Sequence, residues 1–326
     1  MAGPMERTLA LDIVKVTEAA AIAAARHMGE GTVEQAEKAA VTAMRAALGE
    51  LSIQGRIVIG EGEQDEAPML YIGEEVGRGD GFAVDAAVDP VEGTNLVAKG
   101  LPNAIAIVAV TEKGGILHAP DIYMEKLVVP PQAAGKVDLR WSPERNLEVL
   151  AEALGRRVSD ITVVILDRPR HADLIAAVRR AGARIKLISD GDVAPAISAA
   201  VSGPGVHAVM GIGGAPEGVL TAAALRCLGG EIQGRFWYRN DAERQVAREM
   251  GISDPDRIFR TEDLVRGKDL VFAATGITDG DLFRGVRLFG GGVRTHSLVM
   301  TSAAHQIRFV DAIHIQDMSR AGFIRL

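Results

Sequence analysis

From about Ser159 onward, short apolar runs alternate with amphipathic stretches, and few folds accommodate that order. Runs at 161–166, 184–188 and 206–210 have the length and β-branched content of strands. The segments 171–181, 193–201 and 216–228 read as the helices that follow them. Three strand–helix units in succession imply parallel strands joined by right-handed crossovers. The first half reads differently. Leu9, Ile13, Val16, Ala20 and Ala23 recur at helical spacing. A second helix starts near Thr32, which has capping-box spacing to Gln35, and its stripe runs through Ala36, Ala40, Met44 and Ala47. Strands are expected at 57–59, 82–88 and 104–110. The segment 126–139, with Pro130 and Pro131 inside it, reads as a junction. Three later apolar runs, 269–274, 298–301 and 309–315, are strands whose pairing the sequence leaves open. The fold class is α/β, and 326 residues suit two domains. They are expected at 1–158 (α+β, metal-binding) and 159–326 (α/β, substrate-binding).

Composition narrows the function. Aromatics are 4% of the chain while glycine contributes 37 residues, so the core must be aliphatic and the turns tight. Lys and Arg total 36 against 43 Asp and Glu, a net charge of −7, with no basic block. That balance argues against nucleic-acid or anionic-membrane partners. A single cysteine, Cys227, excludes an internal disulfide and a Cys-rich zinc site, and its Ala-rich surroundings predict a core position. The opening residues lack a signal-peptide apolar core. The longest uncharged stretch, 193–216, holds three prolines and five glycines and cannot be a membrane helix. The expectation is a cytoplasmic protein.

Three constellations carry chemistry. Glu61, Glu63 and Asp65 follow an apolar strand at alternate positions, and if strand geometry persists they share one face. Carboxylates so close repel one another unless a hard cation such as Mg²⁺ or Mn²⁺ sits among them, although a solvated acidic turn has the same sequence. In the second, Asp89-Pro90-Val91-Glu92-Gly93-Thr94, proline fixes a turn and glycine allows close backbone approach, so Asp89 and Glu92 could grip one metal. A capped strand-to-helix turn also explains the Pro and Gly. It does not explain the first acidic cluster. The third lies at the carboxyl ends of the three βα strands, where open α/β sheets bind ligands. Arg168-Pro169-Arg170 suits a phosphate clamp. Asp190-Gly191-Asp192 and the run Gly211 to Glu217 follow the next two strands. There the Gly run could present backbone N–H groups, and Glu217 could simply complement a helix dipole. Asp279 and Asp281 read as a solvated turn. No histidine has ligand spacing, and no Ser or Cys sits in a nucleophile motif, which favours water as the attacking group.

The segments GEGEQDEAPMLYIGEEVG (60–77) and AVDPVEGTN (87–95) resemble the signatures of class II fructose-1,6-bisphosphatases, which include forms acting on sedoheptulose 1,7-bisphosphate. The similarity continues through IYMEKL, DRPRHADLIAAVR, LISDGDVAPAI, GIGGAPEGVLTAAALRCLGG and ATGITDGDL, over nearly the whole chain. Asp-Pro-x-Glu-Gly-Thr is also similar to the motif of the wider lithium-sensitive phosphatase superfamily. The resemblance implies an αβαβα sugar-phosphatase sandwich, Mg²⁺ or Mn²⁺ as cofactor, a sugar bisphosphate substrate and a homo-oligomer, dimer or tetramer. It assigns Glu61 to one metal, and Asp89, Glu92 and Glu217 to a second. Asp65 and Thr94 would orient and deprotonate the attacking water. Glu92, Gly93, Thr94, Tyr123, Arg168, Pro169, Arg170, Asp190, Gly191, Asp192 and Gly214 would contact substrate.

One segment departs from the family pattern. Val33 stands where the family has a functional Lys, and Glu37 stands where it has a metal-ligating Asp. Glu37 can still ligate, but Val33 supplies no ammonium. The expected reaction is metal-dependent hydrolysis of the 1-phosphate of fructose 1,6-bisphosphate. The rivals are a phosphatase for inositol phosphates or another sugar phosphate, and a catalytically weak sugar-phosphate binder.

Overall fold

The computed structural model describes residues 3–62, 70–201 and 203–315. It is α/β and contains two mixed sheets. The chain divides into two compact units, 1–112 with 269–326, and 113–268. The boundary expected at 158 is therefore corrected, and the first unit is discontinuous. The reason lies in pairing: Leu270–Gly276 runs antiparallel to Ile105–Glu112, so a strand from the end of the chain completes the first sheet.

In the first unit, Ile53–Ile59 lies parallel to Phe82–Glu92, which pairs antiparallel with Ile105–Glu112. Beyond Leu270–Gly276 come Gly292–Thr301 and then Gln306–Ile315, so the late apolar runs find their partners in this sheet. Helices Pro4–Ala25 and Val33–Gly49 share a core with one face of the sheet. Leu9, Ile13, Val16 and Ala20 are buried there as their spacing predicts. Thr17 adds a polar pin: its hydroxyl is 2.7 Å from that of Thr275, which is 2.8 Å from that of Ser297, all three buried. The helix and two strands thus share one satisfied hydroxyl chain. Thr32 is the N-cap of the second helix, but its side chain makes no capping bond, so the capping box expected with Gln35 does not form.

The second unit holds the βα units. Thr162–Leu166, Arg184–Ile188 and Ala208–Gly214 are the parallel strands, with Thr162–Leu166 in the middle. Their helices are Ala172–Arg180, Val193–Ala200 and Ala215–Leu228, and Cys227 is buried on the last. Three expectations need correction. The segment 126–139 is not wholly a junction, because Tyr123–Val129 is a strand between Ala208–Gly214 and Glu231–Trp237. Glu125 and Lys126 break its apolar run and hide it from a hydropathy reading. The Gly run after 210 is not a loop, since Gly211 to Gly214 pair with Lys126 to Tyr123. In the first unit, the strand expected to stop at Val88 continues to Glu92, with a register shift between Asp89 and Glu92.

Candidate active site

In the first unit the acidic motif sits on that irregular strand end. Pro90 cannot donate a ladder hydrogen bond, and the pairing with Ile105–Glu112 slips at this point. Asp89 turns back on the chain, its Oδ1 accepting from the Val91 N–H at 2.9 Å. Glu92 is buried. Gly93 has φ +90°, a left-handed conformation that glycine adopts without steric cost, and it caps the short helix Thr94–Lys99. Thr94 is therefore the first helical residue, two positions beyond Glu92. Glu61 forms an isolated bridge with Leu70, its N–H donating to the Leu70 carbonyl at 2.9 Å. Glu63 and Asp65 lie outside the described residues. Glu37 is half-buried on helix Val33–Gly49, and Val33, the first residue of that helix, is also half-buried.

The second unit brings its expected site residues together at the carboxyl ends of the parallel strands. Asp192 caps helix Val193–Ala200 and is buried. Its Oδ2 accepts from Lys126 Nζ at 2.7 Å, with side-chain exposures of 8% and 2%, a fully desolvated ion pair. Glu217 lies in the first turn of helix Ala215–Leu228. Burial pushes its carboxyl above the usual range; the nearby Lys126 ammonium opposes this and the Asp192 carboxylate adds to it. Asp192 Oδ1 and Glu217 Oε2 are buried without a hydrogen-bond partner among the described residues. The glycines of the neighbouring strand make room for these groups. A Cβ on Gly213 would strike Asp192 Oδ2 and stand 3.0 Å from Lys126 Nζ, and one on Gly214 would fall on Glu217 Oε2. Their role here is space for side chains.

Arg168 is the N-cap of the short 3₁₀ turn Pro169–His171, and Arg170 lies within it. Arg168 donates to the Asp167 carbonyl at 3.0 Å. Arg170 donates to the Ile212 carbonyl at 2.8 and 3.2 Å, and its guanidinium carbon lies 4.7 Å from the Tyr123 ring centre. Arg239 also approaches that ring, at 5.1 Å, while Trp237 packs 6.0 Å away. Arg239 is also ion-paired with Glu243, so Arg170 carries the cationic face beside the ring. His171 locks the turn to the strand, with Nδ1 2.7 Å from the Leu166 carbonyl and Nε2 accepting from the Ile212 N–H at 2.7 Å. Burial lowers its pKa, and a neutral ring with its proton on Nδ1 satisfies both bonds. Asp190 and Gly191 complete the loop before Asp192, where Gly191 has φ +73°.

Lys126, His171 and Arg239 were not singled out from the sequence. Lys126 sits in the IYMEKL segment, but nothing local marks a lysine as buried. Arg239 reaches Tyr123 through pairing of strand Glu231–Trp237 with Tyr123–Val129, over a separation of more than a hundred residues. Asp279 is more than a solvated turn residue: it accepts from the Gly285 N–H at 2.9 Å and pairs with Arg287 at 2.5 Å.

Among the described residues, the first unit offers the carboxylates of Asp89 and Glu92 as metal ligands, and the second offers that of Glu217. An all-oxygen donor set suits a hard divalent cation, and the partnerless buried Oε2 of Glu217 is the kind of atom such an ion satisfies. Paired acids at an irregular strand end and arginines at the carboxyl ends of parallel strands are the donor types a phosphatase uses. The comparisons with known proteins name the family. Residues 7–314 match the family described as bacterial fructose-1,6-bisphosphatase, glpX-encoded, and the chain belongs to it. It is an enzyme, a phosphoric monoester hydrolase of the fructose-bisphosphatase type. A relative from Synechococcus sp. (strain JA-3-3Ab) is 55% identical over 96% of this chain and 97% of its own length. Others from Synechococcus elongatus and Microcystis aeruginosa are 51% and 50% identical, over 96% and 99% of this chain and 98% and 100% of theirs. All three are named D-fructose 1,6-bisphosphatase class 2/sedoheptulose 1,7-bisphosphatase. Among the described residues no helix is long and apolar enough to cross a membrane.

Proposed function

We propose that the protein hydrolyses the 1-phosphate of fructose 1,6-bisphosphate to fructose 6-phosphate and inorganic phosphate, and that sedoheptulose 1,7-bisphosphate is a second substrate. The observation that carries the reading is the Asp89–Thr94 motif on an irregular strand end, in a chain whose family match spans residues 7–314. Asp89, Glu92 and Glu217 would hold Mg²⁺ or Mn²⁺, with Glu61 and Glu37 as ligands of a further ion. Bound there, a divalent cation would neutralise phosphate oxygens and acidify a water. The remaining work falls to the chain's own groups. Thr94 and Asp65 aim a water in line with the P–O bond, and Asp65 accepts its proton. Water oxygen joins phosphorus, the bond from phosphorus to the sugar O1 breaks, and the departing O1 takes a proton from solvent.

Arg168, together with Arg170 and Arg239 beside the Tyr123 ring, binds the phosphate that is not cleaved, so remote binding energy positions the reacting one. Asp190, Gly191 and Asp192, with Glu92, Gly93, Pro169 and Gly214, shape the sugar pocket. This separate cationic cluster favours a substrate with two phosphates over an inositol monophosphate. A cytoplasmic homo-oligomer is the expected working form. The test is phosphate release from fructose 1,6-bisphosphate with added Mg²⁺ or Mn²⁺ and after exhaustive chelation. Metal-dependent turnover supports the reading; undiminished turnover in chelator would exclude the metal.

A further inference from the structure

A second polar cavity opens at the other end of the parallel strands. It has a volume of about 520 Å³ and is lined by Arg156, Arg184, His207 and Thr162 among small apolar residues such as Leu154 and Val206. Thr162 and Arg184 are the first residues of their strands, and His207 immediately precedes the third. The substrate-contact loops proposed above leave the opposite ends. Five strand residues separate the two, roughly 15 Å at about 3.3 Å per residue.

The chemistry of this cavity is one-signed. Among the described residues, no Asp or Glu lines it. Arg184 is tethered by its guanidinium to the Asp160 carbonyl at 2.7 Å, which aims the group, and it forms no salt bridge among the described residues. The Asp160 carboxylate, which also feels the Arg184 charge, is held by Arg157 at 3.0 Å. The Arg156 side chain has no hydrogen-bond or ion-pair partner among the described residues. His207 Nδ1 accepts from the Thr162 N–H at 3.0 Å, so in the neutral ring the proton sits on Nε2, which becomes a donor. Burial lowers the His207 pKa, and the adjacent Arg156 and Arg184 charges lower it further. Two guanidiniums and an imidazole N–H facing one cavity, with no internal anion, form a receptor for an external one.

We infer that this cavity is a binding site for a small multiply charged anion of the phosphate-ester class, distinct from the site that hydrolyses the substrate. Arg156 and Arg184 supply the charge, and His207 with Thr162 sets one edge. The volume admits a phosphate group with an organic body attached.

The experiment reads His207 directly, so anion binding at the hydrolytic site does not confuse it. Full-length protein carrying ¹³C at histidine Cε1 is titrated with pyrophosphate in chelator, at ionic strength held constant with KCl. His207→Gln assigns the signal. The His207 resonance is expected to move and saturate with a Kd below about 1 mM. Arg156→Ala/Arg184→Ala, shown folded by circular dichroism, should weaken that Kd about tenfold or more. Arg156→Ala alone, at an exposed and unpartnered position, serves the same comparison if the double variant does not fold. A His207 signal that fails to saturate, or a titration unchanged by loss of the arginines, overturns the site.

Discussion

Replacing Lys126 with Met tests how the substrate end of the second unit is held together. The ammonium lies 2.7 Å from Asp192 Oδ2 and is 2% exposed, so water cannot take its place without the strand opening. A Cβ added at Gly213 would stand 3.0 Å from Nζ and one at Gly218 3.6 Å from Cε, so the two glycines give the side chain its channel. Methionine fits the channel but leaves Asp192 buried without its donor and Glu217 without its nearest cation. Breaking one side of a buried pair costs about 3–5 kcal/mol, because a desolvated charge is left uncompensated. For a unit of this size each kcal/mol lowers Tm by roughly 2–4 °C, so a fall of roughly 6–20 °C is expected. Urea and thermal melts of Lys126→Met, Asp192→Asn and the double variant form the cycle. The double variant should regain much of the loss, since removing both charges removes the penalty. If Lys126→Met melts within about 1 kcal/mol of the parent, the pair does not organise this end of the sheet and the reasoning fails.

Thr94→Ala should lower kcat by about 10²- to 10⁴-fold with little change in KM, because its hydroxyl acts on the water in the transition state; near-normal kcat in steady-state assays would remove that role. Arg168→Ala/Arg170→Ala should raise KM for the bisphosphate strongly and matter much less for a monophosphate lacking the remote group, whereas equal losses on both would tie the arginines to the reacting phosphate or the fold. Val33→Lys should raise kcat/KM by roughly 10- to 150-fold if a charge-assisted bond of about 1.5–3 kcal/mol is restored, with an unchanged Tm, since Val33 is only half-buried at the start of its helix; a normal Tm with no kinetic gain would mean another group supplies that charge. The Glu18 carboxylate, 3.7 Å from His314 Nε2, raises the His314 pKa, so the charged ring adds stability fully present below about pH 6.5 and lost as pH rises through the folded-state value. His314→Gln should flatten that part of the urea-midpoint profile, and an unchanged slope above pH 6.5 would rule the pair out as its source.

Much of the site was legible in the sequence because its chemistry is carried by short contiguous motifs. Asp89 to Thr94 and Asp190 to Asp192 announce themselves through Pro, Gly and paired acids, and three βα repeats announce a parallel sheet. Helix stripes such as Leu9, Ile13 and Val16 were equally readable, since burial follows a 3.6-residue period whatever lies opposite. Long-range pairing decided the rest. Strand Tyr123–Val129 carries Glu125 and Lys126, and only the pairing of Gly211 to Gly214 beside it shows that the lysine is buried against Asp192. Arg239 and Tyr123 meet because two antiparallel strands register Tyr123 opposite Trp237. The unit boundary escaped for the same reason, as Leu270–Gly276 finds its partner Ile105–Glu112 far back in the chain. A residue's type and its near neighbours set local conformation. Which charges are desolvated together depends on sheet register, and hydrogen bonds between distant segments decide that only when the chain has folded.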